Sequence, residues 1–272
     1  MPVITTNTAA NSALRYLNIN SSDQTNALNQ VASGSRITRA SDDAAGLAVA
    51  TKLQSDVAVL GQASTNASHA SSILETADGG LSSISDVLER MKVLCAESMS
   101  GAVTDTERAY IQSEFTALAN EITTVVSTTT FNGSSLLGGS YSASFLVGTT
   151  ASDVISVDLS SVNMTTLQST VAAASVATSA GASTALTTIN TAIGTLASAQ
   201  ATVGAYESRF DYHSTQITSS EENLDAAQSA ITDADIAESQ SEFSSAQVRT
   251  NAAIAALAQA NDMPSQLLQL LQ

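Results

Sequence analysis

Tryptophan is absent from this 272-residue chain, and phenylalanine and tyrosine supply only five residues each. With aromatics at 4%, the large anchors that fill one compact core of this size are missing. Small side chains take their place, since Ala, Ser and Thr number 46, 42 and 32. Helices faced with such residues approach closely, so the composition favours an extended helical molecule. A hydrophobic content of 43% excludes intrinsic disorder. Basic residues are scarce too. Nine Lys and Arg stand against 25 Asp and Glu, a net charge of −16 that excludes nucleic acid as a partner. No run approaches ~18 consecutive apolar residues, so no membrane span is expected. Met1 to Asn20 has no basic cluster before an apolar run, so a cleaved signal peptide is not expected. Cys95 is alone, which excludes an intramolecular disulfide and fits a small buried apolar residue.

Catalytic chemistry is missing as well. His69 and His213 are the only histidines, and metal sites need convergent ligands. Asp42-Asp43 and Glu221-Glu222 are neighbours in sequence, yet adjacent helix residues do not share a face. No glycine pattern matches a phosphate loop, and no Ser or Thr has a His/Asp constellation beside it. The expectation is no enzyme, no metal and no cofactor.

What remains is periodic. Ile189, Leu196, Val203, Phe210, Ile217, Leu224 and Ile231 recur every seven residues, the mark of a helix supercoiled against partners. At ~1.5 Å per residue the stripe is roughly 63 Å long. It continues more weakly through Ile236, Phe243, Thr250 and Leu257, with Ala246, Ala253 and Ala260 between. Asp262-Met263-Pro264 predicts the end of that helix. In the N-terminal half, Leu74, Ala77, Leu81, Ile84, Leu88, Met91 and Cys95 form a matching 3-4 seam across Gly79-Gly80. Thr104 to Glu107 has capping-box spacing, and the helix it starts should bury Ile111, Phe115, Leu118, Ile122 and Val125. Ser41-Asp42-Asp43 places acids at another helix start. A shorter amphipathic stretch holds Leu14, Leu17, Leu28 and Val31, and the pattern breaks between Gly34 and Ala40.

The middle reads differently. The 85 residues between Glu121 and Glu207 hold only Asp153 and Asp158 as charges. Phe131-Asn132-Gly133 and Gly138-Gly139 are turn signals, and Ser144–Val147 with Val154–Val157 predict a hairpin. Residues 171–182 read as low-complexity surface. The fold class is therefore mainly α, a long coiled-coil rod from the N- and C-terminal arms with a small β-hairpin region in the middle.

Several segments resemble bacterial flagellins. They are Val31 to Ile37, Ala40 to Ala48, Gln62 to Ala67, Thr76 to Leu81, Thr130 to Gly133, Val203 to Phe210, Ile231 to Asp235, Leu257 to Pro264 and Leu267 to Leu271. They occur in family order and cover nearly the whole chain, as a short form without the large outer insertion. Ser35, Ser41 and Gln272 depart from residues common in the family.

The resemblance implies a subunit that polymerises into an extracellular filament for swimming. Residues 1–40 with 236–272 would form the terminal coiled-coil core, 41–131 with 185–235 the rod, and 132–184 a Ser/Thr-rich surface. Assembly roles would fall on Gly34, Arg36, Ile37, Asp42, Asp43, Gly46, Phe243, Leu257, Asn261, Leu267 and Leu271. Gly34 and Gly46 read equally well as ordinary helix breaks. Implied partners are further copies of itself, hook–filament junction and cap proteins, and an export chaperone on the C-terminal arm. Arg90, Leu94 and Glu114 match the positions at which an animal innate receptor reads flagellins. O-linked sugars are implied for residues 127–191. A hook–filament junction protein, or a secreted coiled-coil adhesin or effector, are the competing readings.

Overall fold

The computed structural model describes residues 6–270, with side chains as far as Ser265. The described chain forms six helices, α1–α6, and four short strands, β1–β4, in two compact units. One unit joins Met1–Asp56 to Asn223–Gln272, and the other is Val57–Glu222.

In the terminal unit, α1 (Thr8–Ser33) lies against α6 (Ile236–Leu270). They run antiparallel, since Asn7 Nδ2 donates to Ala260 O at 2.6 Å while Ala234 N donates to Gly34 O at 2.9 Å. The contact is made by small residues, with Ala27, Ala246 and Ala260 buried. The helix expected to end before Pro264 instead continues to Leu270, with Pro264 inside it. Proline has no N–H for the carbonyl four residues back, which is that of Ala260. That carbonyl is the one Asn7 supplies with a donor, so the helix passes the proline without leaving an orphan acceptor. The amide oxygen of Asn7, Oδ1, caps α1 by accepting from Ala10 N at 3.0 Å.

The second unit is built on α3 (Asp105–Thr128) and on the parts of α2 (Ala44–Ser98) and α5 (Ser179–Thr232) that fall within Val57–Glu222. α3 turns back along α2, pairing Arg90 with Glu114, and Gly80 faces Thr129. A Cβ on Gly80 would come within 2.6 Å of Thr129 Oγ1 and 3.0 Å of Leu137 Cδ1. Close approach therefore requires glycine there. The seam Leu74, Ala77, Leu81, Ile84, Leu88, Met91 and Cys95 is fully buried, as are Ile189, Val203 and Phe210 on α5. On α3 the buried face is Ile111, Phe115, Ala119, Ile122 and Val126. Ile111, Phe115 and Ile122 are buried as expected, but Leu118 and Val125 are only half-buried and their places are taken by the next residues, Ala119 and Val126. The Thr104 capping box is present with both reciprocal bonds.

The turn signals also form as expected. β1 (Thr130–Phe131) and β2 (Ser134–Ser135) pair through Asn132 and Gly133, both at positive φ (48° and 79°) as a two-residue hairpin requires. β3 (Ser142–Leu146) pairs antiparallel with β4 (Val154–Asp158), opposing Phe145 to Ile155. Residues 171–182 are not simply surface, because Val171, Val176 and Ala182 are fully buried. Val171 belongs to a helix unmarked in the charge pattern, α4 (Met164–Ala172), whose Met164 and Leu167 also face inward. Leu136, Leu137, Leu159 and Val162 complete this small core.

Candidate assembly surfaces

The residues expected to govern assembly begin where α1 ends. Gly34 takes the left-handed conformation (φ 70°), and its N–H caps Gln30 O at 2.9 Å. The next residues pair with the end of α5: Arg36 N donates to Thr232 O at 2.7 Å and its guanidinium to Ile231 O at 2.8 Å. A cation here satisfies helix C-terminal carbonyls. Ser35 Oγ bridges to Thr232 O at 3.0 Å, a bond an apolar residue could not make. Ile37 is buried, and Asp43 Oδ1 accepts from Gly46 N at 2.8 Å as the cap of α2. A Cβ on Gly46 would sit 2.9 Å from Ile37 Cδ1 and against the Asp43 carboxylate.

Asp42 Oδ2 accepts from Thr38 Oγ1 at 3.0 Å, Thr38 N at 3.1 Å and Arg39 N at 2.9 Å. The Thr38 hydroxyl is the leading cause that holds its carboxyl below the ordinary value, with the backbone donors adding to it. Gly34, Arg36, Ile37, Asp42, Asp43 and Gly46 thus lie along one elbow from the end of α1 to the start of α2, and the end of α5 is hydrogen-bonded to it at Ser35 and Arg36.

The C-terminal residues are distributed differently. Phe243 and Leu257 are half-buried and Asn261 is exposed. The backbone at Leu267 is helical, and Leu271 lies outside the described residues. Large apolar side chains face outward on both terminal helices, with Leu14 46%, Ile19 48%, Leu28 49%, Val248 68% and Ile254 52% exposed. Thr250 Oγ1 is buried without a hydrogen-bond partner among the described residues.

In the second unit the seam residues Leu74, Leu81, Ile84, Leu88, Ile189, Leu196, Val203, Phe210 and Ile217 are all buried. Leu224, expected in the same stripe, is half-buried and belongs to the terminal unit. Phe145 meets Phe210 edge-on at 5.8 Å, and Asn66 Nδ2 donates to Leu146 O at 3.2 Å, so the β3–β4 hairpin lies over α2 and α5. Arg90 and Glu114 come together as an ion pair at 2.6 Å, while Leu94 is 1% exposed and contributes to the core instead of the surface. Burial raises the Glu207 carboxyl above its ordinary value, and Asp78, Glu75 and Asp211 add to the rise.

Some structural residues went unmarked in the sequence. Arg108, 8% exposed, donates to Ser98 O at 3.0 Å and Ser100 O at 3.3 Å, closing the turn after α2. Gln112 Oε1 accepts from Val176 N at 2.6 Å, and Ser98 Oγ donates to Val176 O at 2.6 Å. These bonds pin the segment between α4 and α5. The i,i+3 spacing of Asp105 and Arg108 was the only available signal, and it suggests a solvated pair. No group of three or more His, Cys, Asp or Glu among the described residues could hold a metal ion. No helix among them is long and apolar enough to cross a membrane.

Comparison with known proteins agrees with this architecture. Residues 4–142 match the bacterial flagellin N-terminal helical region, and residues 186–271 the bacterial flagellin C-terminal helical region. A flagellin of Halalkalibacterium halodurans is 32% identical over 271 residues, covering 99% of this chain and all of that one. A flagellar filament 30.7 kDa core protein of Treponema maltophilum is 31% identical, with 99% of each chain covered. Among solved structures, Bacillus cereus flagellin matches with a TM-score of 0.52 at 27% identity, over 60% of this chain and 94% of that one. The chain belongs to the bacterial flagellin family.

Proposed function

We propose that this chain is the structural subunit of an extracellular bacterial flagellar filament, and that its work is polymerisation. The observation that carries the reading is the terminal unit. Its two helices bury alanines against each other and leave Leu14, Ile19, Leu28, Val248 and Ile254 about half exposed or more. Apolar surface of that kind is covered when copies pack together, and a head-to-tail contact that does not close grows into a helical filament. In this reading residues 1–40 and 236–272 form the filament core, 41–131 with 185–235 the rod, and 132–184 a Ser/Thr-rich surface. Seeded growth on filament fragments tests it. The full chain should extend the seeds into long filaments, and a chain lacking residues 236–272 should stay monomeric. Normal filaments from the truncated chain would refute the assignment, and short adaptor layers would favour a hook–filament junction protein.

Junction and cap proteins would flank such a filament, and an export chaperone would mask the arm from Phe243 to Leu271 before assembly. The chain would leave the cell unfolded and without cleavage. Exposed hydroxyls at Ser134, Thr149, Ser160 and Ser161 are candidates for O-linked sugars. Mass spectrometry of filament protein reads both points. A first residue of Met1 or Pro2 with added hexose-type mass is expected. Loss of about twenty N-terminal residues, the length of a cleaved signal peptide, would overturn the export route, and a mass equal to the 27.7 kDa sequence would overturn glycosylation.

A further inference from the structure

We propose that the threonine groove between α4 and α5 is a contact surface for a second copy of this chain within the polymer. The inference rests on the filament reading. The groove encloses about 400 Å³ between Thr166 and Thr170 on one side and Thr184, Thr188, Thr191 and Thr195 on the other. Leu167 and Ala192, both buried, line it too.

The chemistry of the lining selects the occupant. Thr170, Thr184, Thr188, Thr191 and Thr195 each donate their hydroxyl to a carbonyl of their own helix four residues back, at 2.8–3.3 Å. With those donors engaged, the threonines offer a neighbour chiefly methyl surface, which loses little on leaving water. From Leu159 to Tyr206 there is no Asp, Glu, Lys or Arg, in a chain whose net charge is −16. Copies of such a chain repel wherever charged faces meet, and this face is free of that repulsion. An anionic, cationic or nucleic-acid ligand finds no counter-charge in it. A stable dimer needs roughly 800 Å² from each partner, far more than the groove provides. It therefore closes only where other contacts already align the copies, and the isolated chain stays monomeric.

Cysteine footprinting tests this directly, because Cys95 is fully buried and does not compete for reagent. Thr191→Cys, exposed in the single chain, should react with a maleimide at least about tenfold more slowly in filaments than as monomer. Equal rates in both states would overturn the proposal, as would O-linked sugars on the groove threonines of native filaments. A second variant, Thr191→Asp, should melt like the parent monomer and extend seeds about tenfold more slowly. Unchanged growth of that variant would also overturn it. Failure of the unsubstituted chain to grow on seeds would instead refute the filament reading on which the groove depends.

Discussion

The two compact units share a periodicity but not a core. In Val57–Glu222 the seam positions hold Leu74, Leu81, Ile84, Leu88, Val203 and Phe210 at no more than 1% exposure. Between the paired helices of the terminal unit the buried places are taken by Ala27, Ala246 and Ala260, while Leu14, Ile19, Leu28, Val248 and Ile254 face outward. One unit covers its large apolar side chains, and the other leaves several of them exposed in the single chain. The same heptad periodicity thus gives a covered seam in one unit and a partly open one in the other, because burial depends on what lies across the seam.

The contrast breaks most sharply at the seam. Leu88→Ala or Phe210→Ala should cost roughly 3–5 kcal/mol of second-unit stability through the cavity left behind. Denaturant melts of the monomer followed by circular dichroism check this. Leu28→Ala, half exposed in the single chain, should leave that melt nearly unchanged and weaken filament growth instead. Equal losses at both kinds of site would erase the distinction.

A smaller effect is expected at the Asn7–Pro264 tie. Asn7→Ala should destabilise the terminal unit by about 1–2 kcal/mol, since it removes both a helix cap and the donor for Ala260 O. Pro264→Ala restores a backbone N–H to that carbonyl, so Asn7→Ala should cost less in its presence. A double-mutant cycle on thermal melts gives the coupling, and additive losses would show that Asn7 does not serve the carbonyl orphaned by proline.

The smallest effect concerns pH. The Glu207 carboxyl is raised in the folded chain, so the fold binds its proton more tightly than the unfolded chain does. Its penalty on stability is absent below the ordinary carboxylate value, sets in as pH rises from there through the raised folded value, and is complete above it. Glu207→Gln should therefore raise the melting temperature slightly at neutral pH and lose that advantage in acid. Calorimetry at the two pH values decides it, and a gain of equal size in acid would rule out ionisation as the cause.

Much of this was legible in the residues. The seven-residue spacing through Ile189, Val203 and Ile217 needed no partner to be recognised, because a helix repeats its faces regardless of what covers them. Thr104 with Glu107, and Asn132 with Gly133, carry local signals of the same kind: each satisfies or sets its own backbone within four residues. The elbow was partly legible. Gly34 and Asp43 announce a helix end and a helix start, but nothing near Arg36 says that its guanidinium reaches Ile231 O.

What the amino-acid order determined by itself is the set of local, periodic choices: helix extents near Gly34 and Thr104, the two hairpins, the apolar stripes, and the lack of charge between Leu159 and Tyr206. The tertiary structure decided which stripes are covered. It buried Val171 and Val176 in a stretch that reads as surface, because Ser98 and Gln112 hold that segment from helices more than 60 residues away. It turned the stripe of α3 toward Ala119 and Val126, drew Leu94 out of reach, and carried α6 past Pro264 with a side chain from the opposite end of the chain. Propensity and periodicity act over a few residues and can be read in line. Burial and the rescue of an orphaned carbonyl depend on distant groups meeting in space, which only the folded chain arranges.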